Sequence, residues 1–284
     1  VSEGPLERAL VARIGEGGPI GIDAFMRLCL AAYYERGNAL GRAGDFITAP
    51  EISQIFGELL GLWAALMWRA MGEPEPVLLV ELGPGRGTLM ADALRAAKTV
   101  PRFRAALRLH LVETSPAFRA AQGSRLAAAN PQWHDRFDDL PAGPMLLIAN
   151  EFFDALPIRQ FVCDQDGWHE RRVGLAGERL AFTFDPVPVP FLVEDAPRGT
   201  IREISEDACG LALGVSARLV ASGGAALIID YGYAGGGGDT LQAVRGHRYH
   251  HPLASPGLAD LTAHVDFAAL AENARGTGAR VFGP

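Results

Sequence analysis

Positive charge is scarce in this chain. Its 26 Lys+Arg face 33 Asp+Glu for a formal net charge of −7, and Lys98 is the sole lysine. Such a chain lacks the basic field that displaces counterions from a nucleic-acid backbone, which excludes non-specific nucleic-acid binding. Cysteine is equally rare. Cys29, Cys163 and Cys209 are odd in number and widely spaced, making neither a disulfide framework nor zinc-ligand spacing, as expected in a reducing compartment. Long hydrophobic runs are missing too: the longest, Leu59 to Trp68, falls far short of the roughly 20 residues of a membrane helix, so no integral membrane association is expected. The opening Val1-Ser2-Glu3-Gly4-Pro5 has the features of neither a secretory nor a transit segment. Arginine in place of lysine, with abundant Ala and Gly, points to GC-rich coding and hence to a bacterial cytoplasm. What is present is ordinary for a globular protein: 284 residues, 49% hydrophobic and 21% charged, enough for one large or two modest domains with a real core.

Periodicity predicts helices over roughly the first 75 residues. Leu6, Leu10 and Ile14 keep helical spacing, and Phe25, Leu28, Cys29 and Ala32 resume it after Gly18-Pro19. A longer helix carries an apolar stripe at Ile52, Ile55, Phe56, Leu59, Leu60, Trp63, Leu66 and Met67, with Thr48 and Glu51 at capping-box spacing before it. From Val77 the pattern changes. Val77–Val80, Leu109–Val112, Met145–Ile148 and Ala225–Ile229 are short continuous apolar runs, as expected of strands buried on both faces, and alternation with helices predicts a mostly parallel sheet. Residues 158–186 break the alternation: Arg159–Cys163, Gly167–Val173 and Leu180–Phe184 read as an inserted antiparallel ribbon. The predicted organisation is a helical subdomain over 1–75 and an α/β domain over 76–284 that contains the ribbon.

The most informative run is Val80-Glu81-Leu82-Gly83-Pro84-Gly85-Arg86-Gly87-Thr88. A glycine-rich turn between a buried strand and a helix lets a ligand approach the backbone. No Lys-Ser/Thr follows the glycines, which excludes a P-loop. The spacing is G-x-G-x-G, with Thr88 where a dinucleotide fingerprint has its third glycine, and Glu81 would repel a pyrophosphate. S-adenosylmethionine carries no phosphate and brings an ammonium and a sulfonium, both of which a carboxylate attracts. Glu113, at the end of the next strand, can accept hydrogen bonds from ribose hydroxyls. Asn150, Glu151 and Asp154 follow the Met145–Ile148 strand, and carboxyl ends of parallel strands are where such folds bind ligands. Two acids beside a sulfonium suit a cationic acceptor such as a guanidinium; the bland alternative makes Asp154 a helix cap and Glu151 an ordinary ion-pair partner.

Gly-Asp-Phe-Ile-Thr-Ala-Pro-Glu-Ile-Ser (44–53), Glu-Leu-Gly-Pro-Gly-Arg-Gly-Thr-Leu (81–89) and Asn-Glu-Phe-Phe-Asp-Ala-Leu-Pro (150–157) together resemble the MidA-like class I methyltransferases. Residues 238–242 and 256–262 match further motifs in the same order. The resemblance implies a Rossmann-like α/β fold with an N-terminal helical subdomain and a ribbon insertion, with S-adenosylmethionine as methyl donor and S-adenosylhomocysteine as product. It implies Gly83, Gly85 and Gly87 along the methionine part of the cofactor, Glu113 at the ribose, and a stretch containing Thr48, Pro50 and Glu51 closing over it. Asp135, Asp138 and Asp139 compete for the adenine side. The implied activity is protein arginine methylation assisting assembly of respiratory complex I, in the mitochondrial matrix for a eukaryotic member; a small-molecule methyltransferase and a cofactor-binding assembly chaperone are the rival readings. The family continues past residue 284 into an antiparallel last strand, which this chain is expected to lack. A homodimer is compatible with the sequence. Asp230 ends a strand on the same side as the acceptor acids. Asp260, Thr262, His264 and Asp266 read as a substrate wall or a capped helix start, and His247, His250 and His251 lack the spacing of a metal site.

Overall fold

The computed structural model describes residues 4–35 and 49–283. The chain opens with α1 (Pro5–Gly17), the short strand β1 (Ile20–Gly21) and α2 (Ile22–Glu35), followed by α3 (Ala49–Ile52) and α4 (Gln54–Ala70). Strands and helices then alternate: β2 (Val77–Leu82), α5 (Thr88–Ala97), α6 (Pro101–Ala106), β3 (Leu107–Val112), α7 (Pro116–Leu126), β4 (Gln132–His134) and β5 (Met145–Asn150). The ribbon strands β6 (Arg159–Asp164), β7 (Gly167–Ala176), β8 (Arg179–Phe184) and β9 (Ile201–Ile204) lead into α8 (Glu206–Ser222) and β10 (Gly224–Ile229). Short strands β11 (Gly232–Tyr233), β12 (Gln242–Arg245), β13 (Arg248–His250), β14 (Asp260–Thr262) and β15 (Val265–Asp266) precede α9 (Phe267–Gly276).

The central sheet has five strands in the order β10-β5-β2-β3-β4, every neighbouring pair parallel. Each predicted apolar run lies inside one of its strands, and β2 is buried along its whole length. The chain leaves β2 towards β3 on one side and later returns to β5 on the other. That reversal is the topological switch point of an open α/β sheet, and ligands bind outside the carboxyl ends there. Among the described residues β10 pairs only with β5, and no antiparallel strand joins this sheet.

The ribbon is larger than the three strands predicted. β9 adds to β6, and β1 adds to β7 through Ile20↔Val173 and Gly21↔Arg172, so the N-terminal segment is stitched into it. Accordingly α1 and α2 share a core with the ribbon and with β12 and β14, built from Leu10, Ile14, Phe25, Met26, Val173 and Leu261. Helix α4 belongs instead to the core of the parallel sheet.

The apolar stripe expected on this helix splits. Phe56, Leu60 and Trp63 pack inward, whereas Ile55, Leu59 and Leu66, with Ile52 of α3, are mostly exposed. The helix starts at Ser53, whose side chain accepts from the Ile55 N–H, so the capping box drawn from Thr48 and Glu51 does not open it. It approaches α5 tightly at a glycine: a Cβ on Gly61 would lie 2.7 Å from Ala93 Cα. Gly61→Ala is therefore expected to force α4 off α5 and to cost about 1–3 kcal/mol by overpacking, read as a lowered midpoint in denaturant unfolding; an unchanged midpoint would refute the close approach.

Candidate active site

The carboxyl ends of β2, β3, β5 and β10 converge on one edge and carry, in turn, the glycine turn, Glu113, Asn150-Glu151 and Asp230. The turn after β2 is left-handed at Gly83, Gly85 and Gly87, with φ of +59°, +51° and +74°. Only glycine adopts such angles freely. At Gly83 space is limiting as well, since a Cβ would stand 2.6 Å from the Phe152 ring. Backbone bonds hold the turn, from Gly83 N–H to Val112 O at 3.0 Å and from Gly87 N–H to Pro84 O at 2.8 Å.

Glu81 is only 3% exposed, and its Oε2 has no hydrogen-bond partner among the described residues. Burial, reinforced by Glu113, pushes its carboxyl up to about 8. Glu113 is better supported. Its Oε1 accepts from the Ser115 N–H at 2.8 Å and its Oε2 from Gln122 Nε2 at 3.3 Å, while burial still raises it. Gln122, which no sequence motif marks, is completely buried and joins three parts of the site. It donates to Gly85 O at 2.7 Å and to Glu113, and accepts from Trp133 Nε1 at 2.8 Å. Of the three aspartates considered for the adenine side, Asp135 alone directly follows β4, where Arg119 holds it at 2.7 Å. Asp139 accepts from the Arg136 N–H and Asp138 lies 3.5 Å from Arg136, closing a local turn.

Glu51 reaches the glycine-turn helix: Oε1 accepts from Thr88 Oγ1 at 2.5 Å and Oε2 lies 3.5 Å from Arg86. Pro50 is buried in α3 beside it. Thr48 lies outside the described residues.

At the end of β5, Asn150 Nδ2 donates to Glu151 Oε1 at 3.3 Å, and the Ala49 N–H approaches the same oxygen at 3.5 Å. Glu151 sits at φ +48°, a strained angle for a non-glycine residue and one that clusters at functional sites. Burial raises its carboxyl. No helix follows, so Asp154 is not a helix cap; it lies in an irregular turn before β6. Burial pushes Asp154 well up, with Asp230, Asp260 and Glu151 adding to the shift. Asp230 does not face an acceptor freely. Its Oδ2 accepts from the backbone N–H groups of Phe152, Phe153 and Asp154 at 3.1, 2.9 and 3.2 Å, clamping the loop that carries the acids. Asp260 accepts from Tyr34 OH at 3.4 Å, which places a tyrosine of α2 beside this cluster. Asp266 is the N-cap of α9, as its helix-start reading requires. Among the described residues no group of three or more His, Cys, Asp or Glu could hold a metal ion.

The parallel sheet, a glycine turn at its switch point and acids rather than bases around that turn define a class I methyltransferase. The chain belongs to the family described as "Putative S-adenosyl-L-methionine-dependent methyltransferase", whose profile matches residues 59–284. It is 38% identical over 303 residues to the Drosophila melanogaster protein arginine methyltransferase NDUFAF7 homolog, mitochondrial, covering 93% of this chain and 68% of that relative. The Homo sapiens protein arginine methyltransferase NDUFAF7, mitochondrial, is 37% identical over 96% of this chain and 69% of its own length. A crystal structure of a COG1565 superfamily member from Burkholderia thailandensis, bound to S-adenosyl-homocysteine, superposes with a TM-score of 0.82 at 28% identity, covering 98% of this chain and 79% of that one. S-adenosylmethionine is the cofactor, and two local features fit it: a buried carboxylate oxygen with no partner among the described residues and a turn of three left-handed glycines that lets a ligand approach the backbone.

Proposed function

We propose that this methyltransferase acts on an arginine side chain of a protein, with Glu151 and Asp154 holding the guanidinium. The observation that carries this reading is the electrostatics beside the glycine turn. Asp154 is buried among Asp230, Asp260 and Glu151, and the charge acting most strongly on Glu151 is another carboxylate, Asp230. Like charges gathered in a low-dielectric site favour a cation among them. A guanidinium offers a planar fork of donors that two carboxylates hold in one orientation. The names of the NDUFAF7 relatives support the same acceptor.

In this reading Glu81, Gly83, Gly85, Gly87, Glu113, Glu51, Pro50 and Asn150 hold S-adenosylmethionine, with Thr48 joining them from outside the described residues. The bound cofactor supplies an electrophilic methyl group on a sulfonium. The chain's own contribution is alignment and desolvation: Glu151 and Asp154 fix the acceptor nitrogen, and the clamp at Asp230 fixes Asp154. After transfer the methylated guanidinium sheds a proton, and these two raised carboxylates are bases within its reach. A subunit of respiratory complex I or its bacterial equivalent is the acceptor that the motif resemblance implies, in the mitochondrial matrix or the bacterial cytoplasm. No helix among the described residues is long and apolar enough to cross a membrane. Incubation with methyl-labelled cofactor and cell lysate is expected to label a protein band that hydrolyses to methylarginine. Label found only in a small molecule, or on another side chain, would overturn the arginine assignment.

A further inference from the structure

We infer that Glu81, beside Glu113, is protonated in the free protein and gives up its proton when the cationic cofactor arrives, so that S-adenosylmethionine binds in exchange for a proton. The inference rests on S-adenosylmethionine being the ligand of the glycine turn.

Geometry supplies the argument. Glu81 extends from β2 and Glu113 from the end of the adjacent strand β3, and Gly83 N–H to Val112 O ties the two strand ends together. Glu81 is 3% exposed and its Oε2 has no hydrogen-bond partner among the described residues, so ionisation would leave charge on a buried oxygen with no donor among them. Among the described residues, the charged groups on the surrounding elements are engaged elsewhere. Arg86 of the turn lies against Glu51 at 3.5 Å. In α7, Arg119 donates to Glu113 O at 2.7 Å and pairs with Asp135, Arg125 donates to Thr88 Oγ1, and Gln122 is neutral. Between α4 and α5, Arg95 is held by Glu58 at 2.8 Å and by Asp92 at 2.5 Å. Just after β5, Glu151 is turned to Asn150 and Ala49. The one charged group that acts on Glu81 from among these is Glu113, a like charge. A carboxyl so buried beside a like charge keeps its proton at neutral pH. Burial puts that titration at about 8 for Glu81. A ligand that brings positive charge replaces the proton, which passes to the buffer. Discrimination follows from the same exchange: a neutral or anionic ligand leaves the proton in place and gains nothing from the pair.

The test is calorimetric titration of the intact protein with S-adenosylmethionine at pH 7 in phosphate and in Tris, two buffers of different ionisation enthalpy. The expected result is a difference in apparent enthalpy corresponding to release of close to one proton per cofactor. Affinity is expected to rise by up to about tenfold per pH unit from 6 to 7.5, a window below the usual α-amino pKa of about 7.7–8.0, where the ligand's ammonium stays charged. Glu81→Gln, of equal size and without a titrating group, is expected to abolish both the buffer dependence and the pH slope. The wild-type proton count decides the matter even where the variant folds poorly. Tight binding with no buffer dependence and a flat pH profile would overturn the proton exchange and leave the cofactor assignment intact. Absence of binding at every pH would overturn both.

Discussion

Asp230→Ala is expected to lower stability by about 3 kcal/mol or more and to cut methyl transfer by over a hundredfold. One oxygen of this residue accepts three consecutive backbone N–H groups, those of Phe152, Phe153 and Asp154. Its other oxygen accepts from the Tyr231 N–H at 2.8 Å. Alanine leaves these donors unpaired in a half-buried loop, and each buried unsatisfied donor costs about 1–3 kcal/mol. The activity loss has a separate cause. The same loop carries Asp154 and sets Phe152 against Gly83, and a displacement of about 1 Å in a positioned group costs on the order of a hundredfold in rate. Asp230→Asn keeps one acceptor oxygen and should fall between wild type and alanine in both measurements. Equal unfolding midpoints and equal rates for all three proteins would remove the clamp from the account.

Glu151→Gln separates charge from shape. The amide retains an acceptor oxygen for Asn150 and for the Ala49 N–H, so melting temperature and cofactor affinity should stay near wild type. What is lost is the negative charge facing the acceptor. A charge-assisted hydrogen bond is worth about 1.5–3 kcal/mol, which is roughly ten- to over a hundredfold in rate when the bond acts in the transition state. Single-turnover transfer at saturating S-adenosylmethionine measures this directly, and replacing the acceptor arginine by lysine should be damaging for the complementary reason, loss of the planar fork. Near-equal rates for wild type and Glu151→Gln would assign Glu151 to structure.

Local signals carried most of the fold. Val77–Val80 and Met145–Ile148 are legible as strands because a parallel strand buried on both faces must be apolar without alternation, a property visible in four residues. The glycine turn is legible for a similar reason: three left-handed positions admit few residues other than glycine, and the acid before it excludes phosphate. The second acid, Glu113, follows from its place at the next strand end.

Other features depend on which surfaces meet, and no local pattern contains that. The stripe on α4 announces an apolar face, yet the helix is seated by Gly57 and Gly61 against α5, because small residues allow the closest backbone approach; Ile55, Leu59 and Leu66 are left outside. Asp230 reads as one more acid at a strand end, and its clamp on residues far away along the chain exists only once β10 lies beside β5. Gln122 carries no charge and belongs to no motif, so its bridge from Gly85 to Glu113 and Trp133 emerges only when the fold brings α7 beside the glycine turn and the ends of β3 and β4. Composition, apolar runs and the glycine turn, which reflect what each short segment can tolerate, were enough to define the class of fold and the charge of its ligand. The partners of each buried polar group were decided by tertiary packing, because a buried donor or acceptor must find its bond wherever the fold brings one within reach.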